Sequence, residues 1–239
     1  MSTTKTQDLT DRRILVPGGT GLVGEGIVRQ HLAAGAHVVV PSRTEERAEE
    51  FRRRLGAAAT DHLHLMQHDY STFAGAEELG HQMAERMGGI DAVVVPVGTW
   101  WQGRTLAEID EGDWTTYFGD LITTHMAIAR ATVPRLSAEG SYTIIVGDSA
   151  TWPVPGSGLV SMVQAAMLML HRVLDAESQN GQRHYALTLG PVGDGGGTIL
   201  SADIGRVATT ISAGSSSSGL IIPLHSEAEV EQALLTLRG

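Results

Sequence analysis

The segment Pro17-Gly18-Gly19-Thr20-Gly21-Leu22-Val23-Gly24 constrains the fold more than any other stretch of this chain. It follows the apolar triplet Ile14-Leu15-Val16 and opens directly into a helical pattern, Leu22 to Ala34. Glycines at 18, 21 and 24 keep a G-x-x-G-x-x-G spacing. Such residues let a strand turn sharply into a helix and let a pyrophosphate approach the backbone. The helix that starts there offers unpaired N–H groups and the positive end of its dipole to an anion. A plain glycine-rich turn has the same composition. Its position inside a strand–loop–helix unit is what gives the pattern its meaning.

The rest of the chain repeats that unit. Strand-like runs are read at Ile14–Val16, His37–Pro41, His62–Gln67, Asp91–Val97, Thr143–Val146, Tyr185–Leu189 and Gly219–Leu224. Helical patterns are read at Leu22–Ala34, Glu45–Leu55, Ala74–Met87, Asp113–Leu136, Gly158–Glu177 and Ala202–Ser212. Continuous Val/Ile/Leu strands alternating with helices predict a parallel sheet covered on both faces, a doubly wound α/β fold. The chain reads as one domain from residue 12 to 239, preceded by a flexible lead-in over residues 1–11. The helix from Gly158 to Glu177 is apolar on nearly every side, so it is expected to be buried all round, by the fold itself or by a partner subunit.

Composition removes several classes. The chain of 239 residues contains no cysteine, which excludes disulfides, thiolate catalysis and Cys-based zinc sites. Its net charge is -10, with no basic patch to offset it, so neither nucleic acid nor an anionic membrane is an expected partner. The first eleven residues lack the apolar core of a secretory signal, and no uncharged run of membrane-spanning length occurs, so a cytoplasmic location is expected. His62, His64 and His68 alternate along one strand, but nothing in the sequence completes a metal set. Gly147-Asp148-Ser149-Ala150 does not match the spacing of a hydrolase nucleophile elbow.

The second strand ends in Pro41-Ser42-Arg43. An acidic residue there reads the free ribose of NAD(H), whereas a basic one accommodates the 2′-phosphate of NADP(H). Ser42 and Arg43 therefore point to NADP(H) rather than NAD(H). The alternative is that Arg43 is a solvated residue at a helix start.

Further motifs join the glycine loop. His68-Asp69-Tyr70 ends the third strand, and Val95-Pro96-Val97-Gly98 ends the fourth. Asp113-Trp114 and Val133-Pro134-Arg135 frame the central helix. Ile144 to Ser149 forms a strand ending in serine, and Gly190-Pro191-Val192 follows the sixth strand. With these residues the chain resembles the short-chain dehydrogenase/reductase family over essentially its whole length. The resemblance implies a seven-stranded parallel sheet and a nicotinamide cofactor. It implies that Asp69 and Tyr70 lie by the adenine, Pro96, Val97 and Gly98 along the cofactor, and Pro191 and Val192 beside the nicotinamide. It also implies that Ser149 is the family's serine.

The resemblance fails at the family's Tyr-x-x-x-Lys pair. Alignment through Leu170, Arg172 and Glu177 puts Val160 and Gln164 at those positions, and a shift by one gives Ser161 and Ala165. A count is independent of alignment: no tyrosine lies between Tyr142 and Tyr185, and no lysine follows Lys5. The family's helix asparagine falls on Leu121. Loss of a general acid costs about 10²–10⁴ in rate. Replacements are sought in Ser149 and in Tyr117 and His125, which flank Leu121 at i−4 and i+4 and so share its helical face. Each of these is equally readable as a core or interface side chain. Trp100 and Trp101 suit either a flat or aromatic substrate or simple packing. The Gly193–Thr198 stretch reads as a short mobile loop where a substrate lid is usual.

Three functions stay open. The first is an NADP(H)-dependent oxidoreductase with an unusual proton donor, acting on a small carbonyl or alcohol. The second is a non-catalytic nucleotide-binding sensor. The third is an isomerase, cyclase or lyase using the same cleft. A homodimer or homotetramer through the two long helices is expected for each.

Overall fold

The computed structural model describes residues 7–178, 181–193, 198–214 and 216–238. Seven parallel strands form one sheet: β1 (Arg13–Leu15), β2 (His37–Ser42), β3 (Leu63–Gln67), β4 (Ile90–Val95), β5 (Leu136–Gly147), β6 (Arg183–Leu189) and β7 (Leu220–Leu224). Their spatial order is β3-β2-β1-β4-β5-β6-β7. This is the doubly wound Rossmann arrangement predicted from the apolar runs. Because each parallel crossover returns over a face of the sheet, both faces are covered and the central strands are mostly apolar. Ile90–Val95 is buried at every position.

Helices α1 (Leu22–Ala33), α7 (Ser201–Ala213) and α8 (Glu227–Thr236) share one core with the sheet, built around Ile14, Val38, Leu187 and Ile211. Helices α3 (Phe73–Met87), α5 (Asp120–Thr132) and α6 (Gly158–Ala176) close the other face over Leu15, Val93, Ile144 and Met167. Helix α2 (Glu45–Leu55) lies beside β2 and turns Phe51 and Leu55 into the first core. Helices α1 and α7 touch backbone to backbone: a Cβ on Gly26 would fall 2.1 Å from the Ser201 carbonyl, and one on Gly205 would fall 2.4 Å from the Gly26 carbonyl.

Several expectations change. Leu9 is fully buried and its N–H bonds the Ala34 carbonyl at 2.8 Å, so the ordered chain begins before residue 12. The cause is apolar burial of one leucine inside a polar lead-in; residues 1–6 lie outside the described set. The central helix is not continuous. A short α4 (Glu111–Trp114) passes through a π-helical turn, Thr115–Gly119, into α5, and a 3-10 turn ends at Arg135. Strand β5 begins at Leu136, with an irregular register against β4 between Ile90 and Ala92. The C-terminal helix α8, started by the Ser226 side chain accepting from Glu229 N–H, was not read from the sequence.

Helix α6 is not buried all round. Met162, Met169 and Val173 stay exposed, as does Met126 on α5. By length and composition α6 is apolar enough to cross a membrane. Here its inner face packs on β5 and β6.

His31 on α1 is completely buried, with Nδ1 donating to the Ile27 carbonyl at 2.8 Å and Nε2 2.9 Å from Ser212 Oγ. Burial pushes its pKa down from 6.5 to about 4. As pH falls below about 6.5, the unfolded chain protonates this imidazole while the folded one resists, so stability present above that pH is lost progressively towards pH 4. The loss approaches about 1.4 kcal/mol per pH unit from this group. Urea unfolding at pH 7 and pH 5 is expected to show a smaller drop for His31→Gln than for the wild type, by about 2 kcal/mol. Equal drops would mean that His31 is not held neutral.

Candidate active site

The strand order reverses between β1 and β4. The chain leaves β1 towards β2 on one side and leaves β4 towards β5 on the other, which opens a crevice beyond their C-terminal ends. The glycine loop and the Pro96-Val97-Gly98 segment form its two lips. Gly18 has φ +83, and a Cβ there would stand 3.1 Å from the Pro96 carbonyl. Gly24, in the first turn of α1, rests on Gly18 so closely that a Cβ would fall 2.3 Å from the Gly18 carbonyl. Gly19 is pressed against Val40 in the same way. Thr20 and Gly21 line the crevice, and Gly21 precedes the α1 N-terminus, where backbone N–H groups are unpaired. This cradle fits a pyrophosphate.

One half of the crevice is a cavity of about 260 Å³ reaching β2 and β3. Ser42, Arg43, Arg47, Tyr70 and Thr124 line it, and no Asp or Glu does. The Ser42 hydroxyl is turned away and donates to the Thr44 carbonyl at 3.0 Å. Arg43 and Arg47 therefore carry the positive charge of this end. Arg47 was not singled out from the sequence, although it lies in the first turns of the helix after β2, where such a residue can reach. Tyr70 lines the cavity, and burial raises its hydroxyl pKa. Asp69 does not line it. Its exposed carboxylate accepts the Ser71 N–H at 3.0 Å, and that bond, helped by Arg43, holds it below the usual carboxylate range.

The other half is a cavity of about 410 Å³ over β4, β5 and α6. Leu22, Val23, Thr99, Trp100, Leu121, Gln164 and Met167 line it, and among the described residues no Asp, Glu, His or Tyr does. Gln164 is the organising group. Its Oε1 accepts the Gly147 N–H at 2.7 Å and the Ser149 hydroxyl at 3.0 Å. Its Nε2 hydrogens have no partner among the described residues. Ser149 lies in a 3-10 turn, Asp148–Ala150, at the end of β5 and is buried. The structure thus joins the predicted serine to the residue read at the lysine position, a link the sequence did not reveal.

His125 and Tyr117 do not join it. His125 is fully buried, and its Nε2 donates to the Val97 carbonyl at 2.8 Å. Burial pushes its pKa down to about 4, so it stays neutral and holds the cofactor lip in place. The expected shared face of Tyr117, Leu121 and His125 is broken by the π-helical turn, which shifts Tyr117 out of phase. Tyr117 stacks instead on Trp101, with centroids 4.9 Å apart.

The two tryptophans separate. Trp100 is 61% exposed at the cavity lip. Trp101 belongs to a loop pinned to the β5–α6 loop: its carbonyl accepts from Ser157 Oγ, Gln102 Nε2 donates to the Pro155 carbonyl at 3.1 Å, and Gly103 N–H donates to the Gly156 carbonyl at 3.0 Å. Val160, just beyond these pinned loops at the start of α6, is fully buried. Pro191 and Val192 line neither cavity, and Val192 bridges to Ile199. Of the glycine-rich stretch predicted as a loop, residues 194–197 lie outside the described set. The nearest titratable pair, Asp148 and His225, stands 3.1 Å apart across Gly190, outside the cavity lining.

His62 Nδ1 donates to the Gly35 carbonyl at 3.1 Å and His68 Nε2 to the Gly75 carbonyl at 2.7 Å, while His37 stacks on His62 and meets His64 at 3.2 Å. Among the described residues no three His, Asp or Glu side chains converge as a metal site requires.

The short chain dehydrogenase family model matches residues 12–184, and the chain belongs to that family. It is 25% identical over 166 residues to the uncharacterized oxidoreductase YvrD of Bacillus subtilis, covering 69% of this chain and 62% of that one. It is 27% identical over 154 residues to the NADP-dependent 3-hydroxy acid dehydrogenase YdfG of Escherichia coli K12, covering 64% and 60%. The matches thus span less than two thirds of these relatives' length. Among solved structures, a short chain oxidoreductase of Pseudomonas aeruginosa PAO1 described as containing an atypical catalytic center superposes with TM-score 0.82 at 19% identity, covering 92% and 98%. A short chain dehydrogenase of Shigella flexneri complexed with NADP superposes with TM-score 0.81 at 18% identity, covering 92% and 99%.

Gly24→Ala tests the cradle. The added methyl must displace the Gly18 carbonyl, and overpacking of this kind costs about 1–3 kcal/mol. NADPH affinity measured by energy transfer from tryptophan is expected to fall by about tenfold or more in a chain that still melts cooperatively. Unchanged affinity would mean that the loop does not hold the pyrophosphate.

Proposed function

We propose that this protein is an NADP(H)-binding oxidoreductase with a non-standard centre, acting on a small carbonyl or alcohol-type molecule. The observation that carries the proposal is the charge of the crevice ends. Arg43 and Arg47 stand at the adenosine end with no carboxylate among the lining residues, which suits a 2′-phosphate. The NADP dependence named for YdfG, and the NADP bound in the Shigella flexneri structure, support the same cofactor.

A bound nicotinamide supplies or accepts a hydride. The chain's own groups hold it and orient the reacting oxygen. The glycine cradle and the α1 N-terminus take the pyrophosphate. His125 keeps Val97, and so the opposite lip, in position. Ser149 and Gln164 form one hydrogen-bonded unit whose free amide hydrogens receive a substrate oxygen. Val160 and Gln164, at the positions assigned to tyrosine and lysine, supply no proton. We further propose a cytoplasmic homodimer or homotetramer in which the exposed Met126, Met162, Met169 and Val173 are covered by a second copy.

Arg43→Ala separates the cofactors. Charge-assisted hydrogen bonds of this kind contribute about 1.5–3 kcal/mol. NADPH affinity is expected to fall by about 10–100-fold while NADH affinity stays the same. Wild-type protein that binds NADH as tightly as NADPH would overturn the assignment; binding of neither would favour a non-redox use of the cleft. Light scattering is expected to give twice or four times the 25.3 kDa chain mass, and a monomer would overturn the assembly.

A further inference from the structure

We infer that the hydride acceptor is a quinone or a comparably conjugated, electron-poor carbonyl, not an isolated ketone. The inference rests on the NADP(H) reading and deepens it. It comes from what the nicotinamide half of the crevice contains. Among the described residues its lining is apolar except for Gln164, the Thr99 hydroxyl and backbone, and none of these lining side chains is a carboxylate, an imidazole or a phenol. Gln164 Oε1 is already saturated by Gly147 N–H and the Ser149 hydroxyl. The Ser149 hydrogen is thereby spent inside the protein. What remains for a ligand is the Gln164 Nε2 donor, with the Thr99 hydroxyl also in the lining; either recognises an acceptor oxygen, and neither is an acid near neutral pH.

That restriction selects among carbonyls. Hydride addition to an isolated ketone leaves an alkoxide, whose basicity is near that of hydroxide and far above that of a phenolate. Such an anion needs an acid in the transition state, and no lining side chain among the described residues is one. Hydride addition to a quinone places the electron pair on an oxygen that becomes a phenolate. A phenol titrates near ~10, as tyrosine does, so the anion is within reach of amide stabilisation alone. The step balances as follows: NADPH gives one hydride, which ends as the O–H hydrogen of one quinone oxygen; that carbonyl's π pair passes through the ring, the second oxygen takes the charge as a phenolate held at Gln164 Nε2, and solvent protonates it to the hydroquinone as NADP⁺ is left behind. The reverse direction for a simple alcohol needs a base at the same place, and none is there.

Shape agrees with this class. Trp100 stands exposed at the lip, with Leu22, Val23, Leu121 and Met167 around a largely apolar space of about 410 Å³. A planar ring system stacks on an indole and buries against such walls. Asp148 and His225 are the nearest alternative source of a proton. They face each other across Gly190 and not into the cavity, so a variant of that pair serves as the control.

The experiment compares 9,10-phenanthrenequinone and menadione with cyclohexanone, each with NADPH, and adds cyclohexanol with NADP⁺. NADPH binding is established first by titration. Quinone reduction is expected to exceed cyclohexanone reduction by at least about 100-fold, the lower end of a general acid's contribution, and cyclohexanol oxidation is expected to be undetectable. A binding readout runs beside it: menadione is expected to quench tryptophan fluorescence of the NADP⁺ complex, and Gln164→Leu is expected to weaken that binding about tenfold while leaving NADP⁺ affinity unchanged. His225→Gln is expected to leave quinone reduction as it was. Failure to bind NADPH would overturn the cofactor reading on which this rests. NADPH binding with no quinone reduction, with ketone reduction at a comparable rate, with quinone affinity indifferent to Gln164→Leu, or with quinone reduction abolished by His225→Gln would each overturn the substrate class alone.

Discussion

Close backbone contact at glycine positions sets the geometry on which everything else in this molecule depends. Gly24 lies on the Gly18 carbonyl, and Gly26, one half-turn on, lies against Ser201 and faces Gly205 across the α1–α7 crossing. Side chains at these places would push α1 away from both the loop and α7. With α1 seated, its N-terminus points into the crevice and its inner face completes the first core over β1 and β2. Binding geometry and core packing are therefore one constraint. Gly24 seats the loop and Gly26 seats α7, two residues apart on the same helix.

The second organising contact is the Gln164 carboxamide. A lysine in its place would be a donor only and could not accept the Gly147 N–H and the Ser149 hydroxyl together. An amide can accept with one atom while donating with the other. The turn after β5 is thus held from α6 by a neutral group. A cation there would lower the pKa of a neighbouring acid, and this centre has no such acid to activate.

The fold was legible because parallel strands buried on both faces have a plain signature. Val38 to Val40 and Ala92 to Val95 read as buried strands from composition alone. The glycine loop was legible because its position after β1 leaves few alternatives. The ends of elements were less so. Helix α8 has a weak apolar pattern, and its start depends on the Ser226 cap. The π-helical turn at Thr115–Gly119 carries no proline or glycine pair to announce it, and it is the turn that took Tyr117 out of the expected face. His125 was read as a possible acid from helical spacing. Spacing gives direction around an axis but not depth, and the depth here puts the ring against Val97, away from water.

Polar partners were the least legible of all, because they join residues distant in sequence. Ser42 looked like a phosphate ligand until its hydroxyl proved to close a turn with Thr44. Gln164 looked like the absence of a lysine until it proved to hold Gly147 and Ser149. The pinning of Trp101, Gln102 and Gly103 to the 155–157 segment also crosses more than fifty residues. That pinning has a mechanistic side. With Val160 fully buried at the start of α6 and the two loops tied, the cavity has no open edge there. Trp100 stands exposed at the lip, and Gln164 lines the same space.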